Sequence, residues 1–213
     1  MAAISAVRGN INTSSTILHT PGAGKSTVIK SIVIANHDTT NVTVHLWVNG
    51  TVTGAYLISS KVMNPGKTYI IGAPDLVLDS WDSLVAIADK AGVSITVSME
   101  QSDQTLVQRR LFSNRAQYAN MSWTNQLIPT KNTKRLIKSI WAWNMTGSVV
   151  KTTARISTPS DGLIHLWNDK EIKITNALII PNANILLNPG DSLNVYNSIS
   201  NGVFWHVVYQ EVD

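Results

Sequence analysis

Pro21-Gly-Ala-Gly-Lys-Ser-Thr-Val-Ile-Lys-Ser-Ile32 returns, altered but recognisable, as Pro129-Thr-Lys-Asn-Thr-Lys-Arg-Leu-Ile-Lys-Ser-Ile140. Both copies carry Ile-Lys-Ser-Ile with a proline eight residues ahead of it, at an offset of 108, and Asn36 meets Asn144 at the same offset. Further on, Tyr69-Ile-Ile-Gly-Ala-Pro-Asp-Leu-Val-Leu-Asp-Ser-Trp-Asp-Ser-Leu84 lies over Leu178-Ile-Ile-Pro-Asn-Ala-Asn-Ile-Leu-Leu-Asn-Pro-Gly-Asp-Ser-Leu193 at an offset of 109. The closing stretches Gly92-Val-Ser-Ile-Thr-Val-Ser-Met99 and Gly202-Val-Phe-Trp-His-Val-Val-Tyr209 match at 110. An offset that grows by single residues is what small loop insertions leave in a duplicated unit. The triplet His-Leu-Trp, at 45–47 and 165–167, repeats at 120 and so falls off this ladder. We read it as an accident.

Each copy has the grammar of strands. Val28-Ile-Lys-Ser-Ile-Val-Ile34 and Val42-Thr-Val-His-Leu-Trp-Val48 are short and β-branched, and the second alternates. Turn-forming clusters, His37-Asp-Thr-Thr-Asn41 and Asn49-Gly50, bound them. No window has a sustained helical period, although Ser80 to Lys90 leaves room for one turn. The expectation is an all-β chain of two tandem, duplicated β-sandwich (jelly-roll-like) domains, residues 1–103 and 104–213. Part of the segment from Gln104 to Asn125 should supply the first strand of the second domain.

Composition sets the outer limits. The 213 residues are 44% hydrophobic and 14% charged, enough apolar material for a core and too little charge for a disordered chain. There is no cysteine, which excludes disulfides and thiolate metal sites. No apolar run reaches the ~18 residues of a membrane-spanning helix. The N-terminal Met1-Ala-Ala-Ile-Ser-Ala-Val-Arg-Gly-Asn10 does not read as a signal peptide, so synthesis in a cytosol is expected.

Several motifs imitate catalytic ones. Gly22-Ala-Gly-Lys-Ser-Thr27 suggests a phosphate loop, but His19 stands where the first glycine belongs, and a strand sequence follows where a helix should open. Gly190-Asp-Ser-Leu193 spells the nucleophile block of a serine-esterase family, yet it lies close to the C-terminus with no Asp-x-x-His behind it. The first copy keeps Asp82-Ser-Leu84 without the glycine. A turn whose Asp or Ser caps backbone amides, with Leu entering the core, accounts for both. The five histidines show no metal-ligand spacing, and the acidic pair Asp79 and Asp82 becomes Asn188 and Asp191 in the second copy. No catalytic residue, metal or cofactor is expected.

Charge and tryptophan concentrate in the second half. Residues 1–103 carry 6 basic and 7 acidic side chains, residues 104–213 carry 11 and 6, and no acid lies between Asp103 and Asp161. Arg109, Arg110, Arg115, Lys131, Lys134 and Arg135 crowd into that acid-free interval. They are candidates for contact with an acidic protein surface, with packaged nucleic acid as a less favoured partner and plain solvated charge as the alternative. Trp141 and Trp143 fall on one side of a strand. They suit a core or a subunit interface better than a sugar-stacking platform, and they complete the candidate partner-contact set.

The succession of Pro21, a polar turn, Val28-Ile-Lys-Ser-Ile-Val-Ile34, Asn36, a Val/Thr-rich strand, and then Gly190-Asp-Ser-Leu193 before a final Val-rich strand resembles small β-sandwich domains of tailed-bacteriophage virion proteins. Such domains occur in tail, collar, baseplate and capsid-decoration components. The likeness covers Pro21 to Met99 and Pro129 to Tyr209, and the first copy departs from it with Asp79-Ser-Trp81 where Asn188-Pro-Gly190 stands in the second. The resemblance implies a non-enzymatic protein of the virion, made in the host cytoplasm, with other virion proteins as partners and a trimer or hexamer-matching oligomer. A receptor- or carbohydrate-binding module is the alternative.

Overall fold

A computed structural model of the chain describes residues 3–50, 55–104, 112–117, 121–129, 132–174 and 176–212. The chain divides into two compact units, Met1–Gln108 and Arg109–Asp213. The division falls slightly later than the 103/104 boundary read from the sequence.

The first unit runs β1 (Ala3–Ile11), β2 (Thr16–His19), β3 (Lys25–Asn36), β4 (Val42–Asn49), β5 (Ala55–Met63), β6 (Thr68–Leu78), β7 (Ser83–Ala88) and β8 (Val93–Asp103). They form two antiparallel sheets in the orders β1-β8-β3-β6 and β2-β7-β4-β5. Successive strands pass between the sheets at every step but β4 to β5, which is the wrapping of an eight-stranded jelly roll. The stretch from Ser80 that had room for a helical turn is a tight turn followed by β7.

The second unit repeats this plan. Its strands are β9 (Phe112–Gln117), β10 (Thr124–Leu127), β11 (Lys134–Asn144), β12 (Val150–Thr158), β13 (Gly162–Ile172), β14 (Ala177–Ile180), β15 (Ile185–Leu187), β16 (Ser192–Asn197) and β17 (Val203–Val212). One sheet runs β9-β17-β11 with β14 and β15 sharing the far side of β11; the other runs β10-β16-β12-β13. Thus β14 and β15 together stand where the first unit has β6. The two His-Leu-Trp triplets lie on β4 and β13, which are not equivalent strands.

Ile-Lys-Ser-Ile encodes a β-bulge. Pairing slips between Ile29 and Ser31 in β3, and between Ile137 and Ser139 in β11, so the lysine is the extra residue in each copy. The slip lets isoleucines three apart face the same core: Ile29, Ile32, Ile137 and Ile140 are all fully buried. Each bulged lysine reaches a residue held at positive φ. Lys30 Nζ lies 2.8 Å from Asp75 Oδ1 (φ 44°), and Lys138 Nζ lies 2.7 Å from Asn184 Oδ1 (φ 48°). Asp and Asn adopt that left-handed conformation more readily than other side-chain-bearing residues.

A buried asparagine pins each unit. Asn36 Nδ2 donates to the carbonyls of Thr40 and Met63, and its Oδ1 accepts the Asp38 amide. Asn144 Nδ2 donates to the carbonyls of Ser148 and Ile172, and its Oδ1 accepts the Thr146 amide. Their own amides bond to Lys67 and Asn176 respectively, and the amides that follow bond to Gly92 and Gly202. These equivalent partners are offset by 108, 109 and 110, the same steps the sequence ladder takes.

The Asp-Ser-Leu turns are also equivalent. Asp82 Oδ2 accepts the Asp79 amide at 2.8 Å and Asp191 Oδ2 accepts the Asn188 amide at 2.7 Å, while Leu84 and Leu193 are fully buried. Gly190, at φ 96°, fits the Pro-Gly form of the turn; Trp81 replaces it in the first unit, where φ is not positive. Asp191→Ala is expected to cost about 1 kcal/mol by leaving the part-buried Asn188 amide unpaired, with Asp191→Asn recovering most of it. Urea denaturation of the two variants measures the difference.

Candidate functional site

The catalytic look-alikes are absorbed by the scaffold. Gly22 to Lys25 is a turn closed by the Lys25 amide on the Gly22 carbonyl (2.9 Å), with Gly24 at φ 68°. It opens straight into β3, so its amides are not those of a helix N-terminus. Ser192 of the Gly-Asp-Ser-Leu block accepts a hydrogen bond from Asn194 Nδ2 on β16, whereas His206 lies on β17 in the other sheet of the unit.

Among the described residues, the expected partner-contact set does not come together as one surface. Arg109, Arg110 and Lys131 lie outside the described residues, and so does the side chain of Arg115, whose backbone is part of β9. Lys134 opens β11 and is half-buried. Arg135 is engaged within its own unit. Its guanidinium bonds the Ile128 carbonyl (2.6 Å), pairs with Glu211 (3.2 Å) and covers the Tyr209 ring at 4.8 Å. Burial of the Tyr209 hydroxyl pushes its pKa above the usual phenolic value, against the pull of the nearby Arg135 charge.

Trp141 and Trp143 take the core place, one of the two readings favoured for them. They do share one side of β11, with rings stacked 5.4 Å apart, but they are 0% and 1% exposed. Trp143 also packs on Phe204 at 5.4 Å, and Trp141 Nε1 reaches Ser139 Oγ. Neither ring is open to a sugar or to a docking protein. The cause is that β11 from Ser139 to Asn144 and β17 from Val203 to Val208 are buried without a break. The sequence carried a signal of this: Ile140-Trp-Ala-Trp143 and Val203-Phe-Trp-His-Val-Val208 are nearly continuous apolar runs, which mark strands covered on both faces.

A polar and aromatic group lies instead on the outer face of the sheet β10-β16-β12-β13. Cross-strand pairing sets Asn125 opposite Asn194, Asn194 opposite Arg155, and Arg155 opposite His165, so one row crosses all four strands. The Arg155 guanidinium lies 3.4 Å from the centroid of the Trp123 ring, and Trp123 stands 5.7 Å from Tyr196. Trp123 keeps 42% of its surface exposed. Sequence reasoning misses this group because its members come from four strands and a loop, and only the register brings them together.

No family model and no curated protein matches the chain. Among solved structures, the chain is similar to the STIV MCP at 9% identity, over 99% of this chain and 96% of that one, with a TM-score of 0.30. It is similar to the major capsid protein of bacteriophage PM2 at 11% identity, over 99% and 98%, with a TM-score of 0.32. The tandem CBM22 domains of Xyn10C from Paenibacillus barcinonensis give 9% identity over 99% and 90%, with a TM-score of 0.26. Likenesses at these scores carry no argument, and the jelly-roll assignment stands on strand order.

Proposed function

We propose that the chain is a non-enzymatic structural protein of a virus particle, of the tailed-phage type, which works without a cofactor by assembling with other particle proteins. The observation that carries this reading is where the apolar surface lies. In the first unit each of the four edge strands bears an exposed aliphatic side chain: Ile4 on β1, Ile17 on β2, Val62 on β5 and Ile70 on β6. In the second unit Leu163 and Ile164 on β13 and Leu186 on β15 repeat the pattern. Exposed apolar edges are a liability in a lone protein and a docking surface in an assembly. The resemblance to tailed-phage virion domains supports the same reading and adds a tail, collar, baseplate or capsid-decoration setting.

Two jelly rolls of one plan in one chain also suit a symmetric ring. Three chains would present six similar domains, matching a six-fold or quasi-six-fold attachment site. Light scattering on the purified protein, alone and with the particle's major shell and tail proteins, is expected to give a trimer or hexamer that co-migrates with one of them. A monomer that ignores all of them would overturn the proposal.

A further inference from the structure

The two units share a plan but differ sharply at one set of equivalent positions. Across β2-β7-β4-β5 the paired row reads Ile17, Val85, Trp47, Tyr56; across β10-β16-β12-β13 it reads Asn125, Asn194, Arg155, His165. Likewise Ile87 is replaced by Tyr196, and Ser15 by Trp123. An apolar row has become amides, a guanidinium and an imidazole flanked by two aromatic rings. The scaffold does not demand the change, since the first unit folds the same way without it.

Arg155 is the centre of the group. It makes no hydrogen bond or ion pair among the described residues, and its Nε is buried with no partner. No Asp or Glu occurs in β10, β12 or β16. Stacking on Trp123 fixes the plane of the guanidinium and leaves its edge for an anion, and a carboxylate matches that fork with two parallel hydrogen bonds. Beside it, both amide hydrogens of Asn194 are committed, one to Asn125 Oδ1 and one to Ser192 Oγ. That leaves Asn194 Oδ1 to accept and Asn125 Nδ2 to donate. Neighbouring acceptor and donor groups suit the hydroxyls of a sugar, and the rings of Trp123 and Tyr196 suit the apolar C–H face of a pyranose.

We propose that the outer face of β10-β16-β12-β13 binds an acidic saccharide. Arg155 pairs with the sugar carboxylate, Asn125 and Asn194 bond its hydroxyls, and Trp123 and Tyr196 pack against the ring. This is preferred to docking of an acidic protein segment because the row holds no aliphatic side chain, whereas the centre of a protein interface is apolar. The inference does not rest on the virion reading.

The test is calorimetric titration of the full chain with tri-galacturonate, its fully methyl-esterified form and an oligo-glutamate of equal charge. Tri-galacturonate is expected to bind, and the ester about tenfold or more weakly, because a neutral ester cannot form the bidentate ion pair with Arg155. Arg155→Gln and Trp123→Ala should each weaken binding by a similar factor, while Trp81→Ala, on the first unit, should not. In the unaltered protein the Trp123 indole N–H resonance should move on titration, which keeps the test valid if a variant folds poorly. Absence of tri-galacturonate binding, equal binding of the ester, binding of oligo-glutamate as tight as that of the sugar, or a Trp123 resonance that stays put would each overturn the proposal.

Discussion

Trp205→Ala is expected to destabilise the second unit by about 3–5 kcal/mol, the upper range for a core substitution. Trp205 is completely buried in the core, with its ring stacked on Trp167 at 5.7 Å and 13° between planes. Its Nε1 donates to Asn197 Oδ1 at 2.9 Å, joining β17 in one sheet to β16 in the other across the core. Truncation removes the ring, opens a cavity and leaves the buried Asn197 oxygen without its donor, so two costs add. The first unit shows that the indole is not required by the fold. Its equivalent positions carry Ile95, Ile58 and Ala88 where the second unit has Trp205, Trp167 and Asn197. The tryptophan and asparagine therefore work as a pair. Trp205→Ile combined with Asn197→Ala is expected to cost less than Trp205→Ile alone, because the double change leaves no orphaned amide. Urea denaturation, with amide hydrogen exchange to separate the two units, gives both numbers. A double variant no more stable than the single one would refute the pairing.

How much of this is legible in the sequence depends on whether a feature repeats. The ladder of offsets is reproduced by equivalent strands, equivalent bulges and equivalent hydrogen bonds, so the two all-β units can be read from the residues alone. The reason is physical: Asn36 and Asn144, or Asp82 and Asp191, hold turns through bonds to backbone, and such bonds survive changes in the surrounding side chains. The meaning of Ile-Lys-Ser-Ile is less visible. A bulge shifts the two-residue period by one, so Val28-Ile-Lys-Ser-Ile-Val-Ile34 fails a strict alternation test while both isoleucines of the motif reach the core. The candidate contact residues are the least legible. Trp141 and Trp143 have the spacing of an exposed platform, and period alone cannot tell an open face from a covered one. Arg155 and Trp123 are visible only as charge and composition, because their meeting depends on the register of β12 and on the loop before β10.

Asn144→Ala should be the second most damaging change, at about 3 kcal/mol or more. The side chain is 5% exposed and reaches both the loop after β11 and the end of β13. Nδ2 serves the carbonyls of Ser148, Ile172 and Lys173, while Oδ1 holds the Thr146 amide and hydroxyl. It therefore ties the loop after β11 to the end of β13. Alanine would leave those groups without their partner, and at the Ile172 carbonyl the penalty is that of an unpaired buried group rather than of one lost bond. Aspartate is nearly isosteric but cannot donate, so Asn144→Asp should fare no better than alanine, while keeping the bond from the Thr146 amide. The first unit provides an internal control. Asn36→Ala removes the bonds to Thr40, Met63 and Asp38, and should lower protection from hydrogen exchange in β3 to β5 by a comparable factor. If the two asparagines act as equivalent pins, the two alanine variants will lose similar stability, each in its own unit. If Asn144→Ala leaves β11 to β13 as protected as before, the asparagine is a passenger in the turn, and the repeated hydrogen bonds are not what holds these sandwiches closed.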